Sequence, residues 1–383
     1  MTVTALPVSA APLEVLDGDD RKLLRALQHA ERSRAELSQS TGWSRNTVAT
    51  KLDKLLATGW VMENADTPIG RGRPSSSYKL NALASLNFVA RFNAERVGAA
   101  ICSLDGSLLA WEARDLPPEP GPDGAIRTLD EMLTSMTEQH GIERSTIRAM
   151  VVGVPGPVSD MRRTVPWSKV GVLPSDFATH FGMKVAVDND ANIMALGVQV
   201  ENPDADSVLF LLVETGIGAG LVFSGQLHRG VGGWAGEVGH IPVAAGGDRP
   251  CVCGNRGCLA NVASNPALMR SISTAERPVP NVAALRDLAM SGDTDAIMAL
   301  RQAGRHIGEA ITGLVVGLAP ALISVGGDVA QIGDHVIVGI RESLAQRTPP
   351  AISAQLRISA TRDHNLTGVK GASALAFDLL FPA

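Results

Sequence analysis

Cysteine is scarce in this 383-residue chain: there are four. Four cysteines cannot staple a protein of this length, so stability must come from buried apolar surface rather than a disulfide framework. The first residues show no basic stretch followed by a sustained apolar run, so no signal peptide is expected. The sequence also lacks a run suited to a membrane span. Its longest apolar stretch, 310–325, contains Pro320 and is interrupted by Thr312, Gly313 and Gly317. That stretch reads as a buried helix passing into a buried strand. Few cysteines and no export signal point to the cytoplasm, with no membrane partner. Positive charge is in short supply too. The net charge of −5 excludes a chain that coats nucleic acid along its whole surface.

What is present describes a globular protein, with 45% hydrophobic and 19% charged residues, long enough for two or three domains. The charge is unevenly spread. Between Arg32 and Lys79, eight Lys/Arg stand against four Asp/Glu, a net +4, which leaves −9 for the remainder. A basic module joined to an acidic body is the pattern of local nucleic-acid contact.

Residues 1–16 show no periodicity and read as a tail. After them, Leu23, Leu24 and Leu27 share one helical face, and a second helix fits 34–40. Gly42 makes a turn, Ser44 is a good N-cap, and a third helix over 45–58 buries Val48, Leu52 and Leu55. Away from that stripe lie Arg45, Asn46, Thr47, Thr50 and Lys51, residue types that reach base edges and phosphates in a major groove. Strand-like segments beginning near Gly59 and ending at Leu80 form a β-hairpin wing. Within it, Gly70-Arg71-Gly72-Arg73-Pro74 makes a cationic hook suited to a narrow minor groove. The expectation is an α+β winged helix-turn-helix over 17–82 that binds double-stranded operator DNA.

Three of the four cysteines lie together. His240, Cys251, Cys253 and Cys258 place one imidazole and three thiolates within nineteen residues, a tetrahedral set of the kind structural Zn2+ takes. A disulfide reading leaves an odd thiol and ignores the histidine. Gly254 and Gly257 allow the backbone to curl around an ion. Cys102, in an apolar run, reads as an inert core residue.

From Phe88 onward, short apolar runs alternate with helical patterns, the texture of α/β units. Strands are expected over 97–101 and 108–111 around an Asp105-Gly106 hairpin, and over 150–154, 185–187, 208–213 and 322–325. The order Pro-Gly-Pro-Val, Asp-Asn-Asp-Ala-Asn, Thr-Gly-Ile-Gly-Ala-Gly, Ala-Gly-Glu-Val-Gly-His, Cys-x-Cys-Gly-Asn-Arg-Gly-Cys-Leu and Val-Gly-Gly resembles the ROK family (repressors, open reading frames and sugar kinases) over 87–383. The resemblance implies a two-lobed α/β body of the ribonuclease-H-like, actin/hexokinase type, with a sugar cleft between the lobes and the zinc motif at 240–258. It maps sugar contacts onto Asn189, Asp190, Glu237 and His240, with Asp190 as the base if the protein were a kinase.

Two departures from the family pattern matter. The phosphate loop of family kinases falls on Arg91-Phe92-Asn93-Ala94-Glu95, where side chains and a glutamate oppose an incoming polyphosphate. The second glycine loop, 215–220, survives but is entered from Glu214. In addition, Ala260 stands where the family has a sugar-binding glutamate. The sequence therefore reads as a regulator, a repressor of carbohydrate metabolism rather than an enzyme, with a sugar or phosphosugar effector. Two-fold operators imply a homodimer or homotetramer. The competing reading is an active sugar kinase fused to a DNA module.

Overall fold

The computed structural model describes residues 10–28, 30–64, 76–93, 96–116, 121–158 and 174–382. The chain divides into two compact units. The first comprises Met1–Val152, Val172–Val187 and Ala372–Ala383, the second Gly153–Gly171 and Asp188–Gly371.

The first unit opens with α1 (Gly18–Ala26), a short strand β1 (Arg32–Ser33), α2 (Arg34–Thr41) and α3 (Arg45–Ala57). Each helix is started by a side chain that accepts an otherwise unpaired amide: Asp17 from Asp20, Ser33 from Glu36 and Ser44 from Thr47. Caps of this kind contribute about 1 kcal/mol each. Leu23, Leu24, Leu37, Val48, Leu52 and Leu55 are fully buried among them. β2 (Val61–Asn64) and β3 (Ser77–Leu80) pair antiparallel, Val61 opposite Leu80, as the wing. β1 adds a third strand on the far side of β3, a pairing too short to leave a pattern in the sequence. The hook residues Arg71 and Arg73 lie outside the described residues.

One expectation is corrected here. The end of the supposed tail is packed, with Ala10, Leu13 and Leu16 buried. Ala11 donates its amide to the Thr58 carbonyl, and the Arg148 guanidinium donates to the carbonyls of Ala10 and Ala11. Three apolar residues at intervals of three are too few to reveal a helical face.

The same unit holds β4 (Leu86–Phe92), β5 (Arg96–Ser103), β6 (Leu108–Asp115), α4 (Gly121–His140), α5 (Pro174–Phe181) and all but the last two residues of β7 (Ile147–Val154) and β8 (Lys184–Asn189). Its sheet runs β6-β5-β4-β7-β8. The expected hairpin around Asp105-Gly106 joins β5 to β6. Cys102 is buried, 3.2 Å from the Ser373 hydroxyl, and burial pushes its thiol up to about 12. That is an inert core thiol, as its sequence setting implies.

In the second unit α6 (Asp190–Glu201) precedes β9 (Ser207–Val213), β10 (Ile217–Phe223) and β11 (Gln226–Leu227). A loop-rich stretch then leads to α7 (Ala260–Ala263), α8 (Asn265–Ile272), α9 (Val282–Met290) and α10 (Thr294–Leu318). β12 (Leu322–Gly326), α11 (His335–Arg347), α12 (Pro350–Ser353), β13 (Arg357–Ala360) and α13 (His364–Leu380) complete the chain. The sheet order is β11-β10-β9-β12-β13, with β9, β12 and β13 parallel. Alternation along β9 explains its unbroken apolar run. Leu209, Leu211 and Val213 pack with Ile307, Ile311 and Ile340, while Val208, Phe210 and Leu212 pack with Met194, Ala195 and Val198. A strand covered on both faces needs apolar residues at every position. The 310–325 stretch is helix and then strand, as expected, and no helix among the described residues is long and apolar enough to cross a membrane.

α13 starts in the second unit and finishes in the first. Near its start the Thr367 hydroxyl and the Lys370 ammonium donate to Glu201 at the end of α6. At the other end Phe381 is fully buried, edge-on to Trp60 at 5.5 Å between ring centroids. There Arg25 donates to the Phe381 carbonyl and pairs with Asp378.

Candidate DNA-reading helix and metal-bearing site

The start of α3 presents Arg45, Asn46, Thr47 and Thr50, all exposed, opposite the buried Val48–Leu52–Leu55 stripe. Gly42, with a φ of 75°, ends α2 in the left-handed conformation that lets the chain turn into Ser44. The Thr50 hydroxyl bonds back to the Asn46 carbonyl, and Thr47 shares a contact with Ser44, so the row is ordered before any partner arrives.

Lys51 does not stand free with these residues. Its ammonium lies 2.9 and 2.8 Å from the two oxygens of Asp17 and within 4 Å of Asp19 and Asp20, and its side chain is 18% exposed. Lys54 reaches Asp17 and the buried Asp20 from the next turn. Two cations of α3 thus clamp the acidic start of α1, where negative charge already suits the helix dipole.

The Lys51 hydrogen bond, followed by the Asp20 amide, holds the Asp17 carboxyl well below the usual carboxylate range. A carboxylate so lowered stabilises the native state above its unfolded value of about 3.9, and the contribution is lost as pH falls toward the native value. Helical signal followed by circular dichroism is therefore expected to fall more steeply below about pH 4 in the wild type than in Asp17→Asn. Asparagine keeps the cap but removes the charge, so superimposable acid curves would refute this role.

The four metal-ligating candidates come together in the second unit. Among the described residues, His240, Cys251, Cys253 and Cys258 form a group whose ligand atoms all lie within 4.8 Å of one another. His240 Nδ1 is 3.5 Å from Cys251 Sγ, and Cys253 Sγ is 3.7 Å from Cys258 Sγ. The loop closes as the glycines require: Gly254 and Gly257 have φ of 90° and 74°, and Cys251 donates its amide to the Asn255 carbonyl. The group can bind a metal.

The other ring nitrogen of His240, Nε2, is 3.7 Å from Glu237. Burial pushes the Glu237 carboxyl up to about 7, with Asp190 adding to the shift, and burial also lowers His240. The imidazole thus offers Nδ1 to the cysteines and its other edge to Glu237.

Asp190 and Asn189 sit where β8 passes into α6. Asn189, not Asp190, is the N-cap. Its Oδ1 accepts from the Asn192 amide and its Nδ2 donates to the Gly156 carbonyl, so the side chain is occupied at both ends. Asp190, also buried, accepts the Ala191 amide through Oδ1. The charge of Asp190 acts on Glu237, whose carboxylate lies beside His240 of the metal group.

Sequence reasoning missed two members of this neighbourhood, Asp188 and Arg229, which are paired at 2.7 Å. Asp188 also accepts the Asn192 side-chain amide at 2.8 Å, and no spacing in the sequence signals either contact.

The glycine loop 215–220 spans a turn and the strand after it. Thr215 and Gly216 form the tight β9–β10 turn, Val213 lying opposite Ile217, while Gly218 and Gly220 belong to β10 itself. A Cβ on Gly220 would come within 2.3 Å of the Ala191 carbonyl oxygen, so that glycine admits α6 against the sheet, while the space at Gly216 is open. Of the expected phosphate-loop region, Arg91 lies in β4 opposite Gly98, Phe92 is fully buried, and Asn93 and Arg96 are joined by hydrogen bonds. Ala94 and Glu95 lie outside the described residues.

Comparison with known proteins gives a consistent picture. A profile of the ROK family matches residues 94–378. A xylose repressor from Bacillus spizizenii is 26% identical over 346 residues, 87% of this chain and 88% of the relative. The crystal structure of a ROK family transcriptional regulator, a homologue of the E. coli MLC protein, superposes with a TM-score of 0.79 at 22% identity, covering 95% of this chain and 97% of that one. A ROK family glucokinase from Streptomyces griseus, solved with glucose and AMPPNP, gives 0.64 at 24% identity, covering 76% and 99%. The winged helix, the two α/β sheets and the His/Cys cluster follow one another here in a single chain, and that chain belongs to the ROK family.

Proposed function

We propose that this chain is a DNA-binding transcriptional repressor of carbohydrate metabolism, answering to a sugar or phosphosugar it does not phosphorylate. The observation that carries the reading is the exposed row Arg45, Asn46, Thr47 and Thr50 at the capped start of α3, with a paired wing behind it. The likeness to a xylose repressor along nearly the whole chain supports the same reading. Lys51, tied to Asp17, serves the module's own packing before it serves a phosphate. Arg71 and Arg73 are the proposed minor-groove contacts. A homodimer or homotetramer in the cytoplasm would match two-fold operators.

His240, Cys251, Cys253 and Cys258 are the proposed ligands of a structural Zn2+. Zinc–sulfur bonds of about 2.3 Å in a tetrahedron set sulfur atoms about 3.8 Å apart, close to the 3.7 Å between Cys253 and Cys258. When bound, the ion supplies a fixed crosslink and no redox chemistry. His240 would then be held with its free edge toward Glu237. Asp190, Glu237 and that edge are the proposed sugar contacts, while Asn189 shapes them through the α6 cap.

The second reading, an active sugar kinase, draws on Asp190 and Glu237 in one site and on the likeness to a glucokinase. Against it stands the segment Arg91-Phe92-Asn93-Ala94-Glu95, where side chains and a glutamate oppose an incoming polyphosphate. Fluorescence polarisation with the chain's own upstream DNA, with and without D-xylose or D-glucose, tests the first reading. Arg45→Ala with Asn46→Ala is expected to weaken binding by roughly tenfold or more, and Arg71→Ala with Arg73→Ala to lower the salt slope by about 2. Sugar phosphorylation in a coupled ATP assay, abolished by Asp190→Ala, would replace it with the second.

A further inference from the structure

Two segments carry the acidic site, the start of α6 with Asp190 and the strap 230–240 with Glu237 and His240. One buried carboxylate joins them. Asp188 Oδ1 accepts the Asn189 amide and the Asn192 side-chain amide, both at 2.8 Å, which fixes it to the first turn of α6. Asp188 Oδ2 accepts from Arg229, Nε at 2.8 Å and Nη2 at 2.7 Å. The Arg229 carbonyl in turn accepts the Ala235 amide at 3.0 Å, closing the loop that leads into Glu237. The strap is also pinned from behind, where the Gly236 carbonyl accepts the Ala219 amide of β10 at 2.7 Å.

We infer that Arg229 is a positioning residue: through Asp188 it holds the Asp190 end of α6 and the Glu237-bearing strap in one fixed relation. The inference rests on the sugar-binding reading of these residues. Sugar hydroxyls have fixed spacing, so acceptors on two separate segments recognise them only if the segments keep their distance.

The geometry asks for arginine. Two donors of a planar fork converge on one oxygen, whereas lysine offers a point charge on a flexible stem. The Arg229 side chain is 44% exposed, whereas that of Asp188 is 6% exposed. The fork therefore reaches from the site's surface to an otherwise enclosed carboxylate.

Calorimetric titration of the full-length chain with D-xylose and with D-glucose, combined with hydrogen–deuterium exchange, tests this in wild type, Arg229→Lys and Arg229→Ala. Arg229→Ala is expected to weaken whichever sugar binds by roughly tenfold or more, with Arg229→Lys in between. In both variants deuterium uptake should rise together in 188–193 and 230–240 while α10 keeps its protection. Should Arg229→Ala fail to fold, Arg229→Lys carries the comparison. A lowered melting temperature with unchanged sugar affinity in Arg229→Lys would reduce the pair to a structural ion pair and overturn the inference. If the wild type binds neither sugar, the effector reading fails on its own and exchange decides. A paired rise in the two segments then sustains the positioning role; a rise confined to the Arg229 loop, or none, removes it.

Discussion

Cys258→Ser is expected to yield a chain that purifies without zinc and melts about 10–20 °C below the wild type. The range follows from two magnitudes. Structural zinc contributes roughly 10–16 kcal/mol to small zinc domains that fold around it. In a unit of this size each kcal/mol moves the midpoint by about 2–4 °C, so forfeiting about 5 kcal/mol gives that drop. Cys258 is the most damaging ligand to lose because it is buried and begins the run into the fully buried Leu259, whose amide bonds to the Ile241 carbonyl. Elemental analysis and a thermal melt check the two halves of the expectation. Cys102→Ser is the control, expected to leave zinc content unchanged because its thiol lies in the other unit beside Ser373. A metal-free wild type that melts where the zinc-loaded protein does would show that the cluster holds nothing together.

The second large effect lies at the end of α13. Phe381→Ala removes a fully buried ring that meets Trp60 edge-on and Phe377 at 4.7 Å. Emptying such a site costs about 3–5 kcal/mol. Because Trp60 opens the wing and also carries the Arg148 guanidinium over its ring, the loss falls on the anchorage of the winged helix. Urea unfolding followed by tryptophan fluorescence should then show the DNA module letting go first, in a separate early transition. A single shared transition, merely shifted, would mean that the packed segment 10–16 and its Arg148 contacts anchor the module without the ring.

The parts of this protein that were legible in its sequence are those whose physics is local. Leu23, Leu24 and Leu27, the Ser44 cap and the Val48–Leu52–Leu55 stripe recur at helical spacing, so the helices of the DNA module could be placed within a residue or two. The His240–Cys258 cluster was legible because all four ligands fall in one short stretch. What escaped depends on partners distant along the chain. Lys51 looked like a free phosphate contact, yet Asp17, 34 residues earlier, claims it. Asp188 finds Arg229 41 residues away, and neither residue has a pattern of its own. The close packing at Gly220 escaped for another reason: a missing side chain looks the same in sequence whatever it lets approach.

The contact between α6 and α13 has a mechanical consequence. A Cβ at Gly197 would stand 1.9 Å from the Thr367 carbonyl oxygen, and one at Gly371 would stand 1.9 Å from that of Ile193. The two helices therefore touch backbone to backbone, without the cushion of rotamers that lets most helix pairs absorb a small shift by repacking. Such a joint has little compliance: a tug on α6 is handed to α13 as displacement. α13 itself runs on to Leu380, one residue before Phe381, so this uncushioned joint and the ring contact with Trp60 are carried by a single helix.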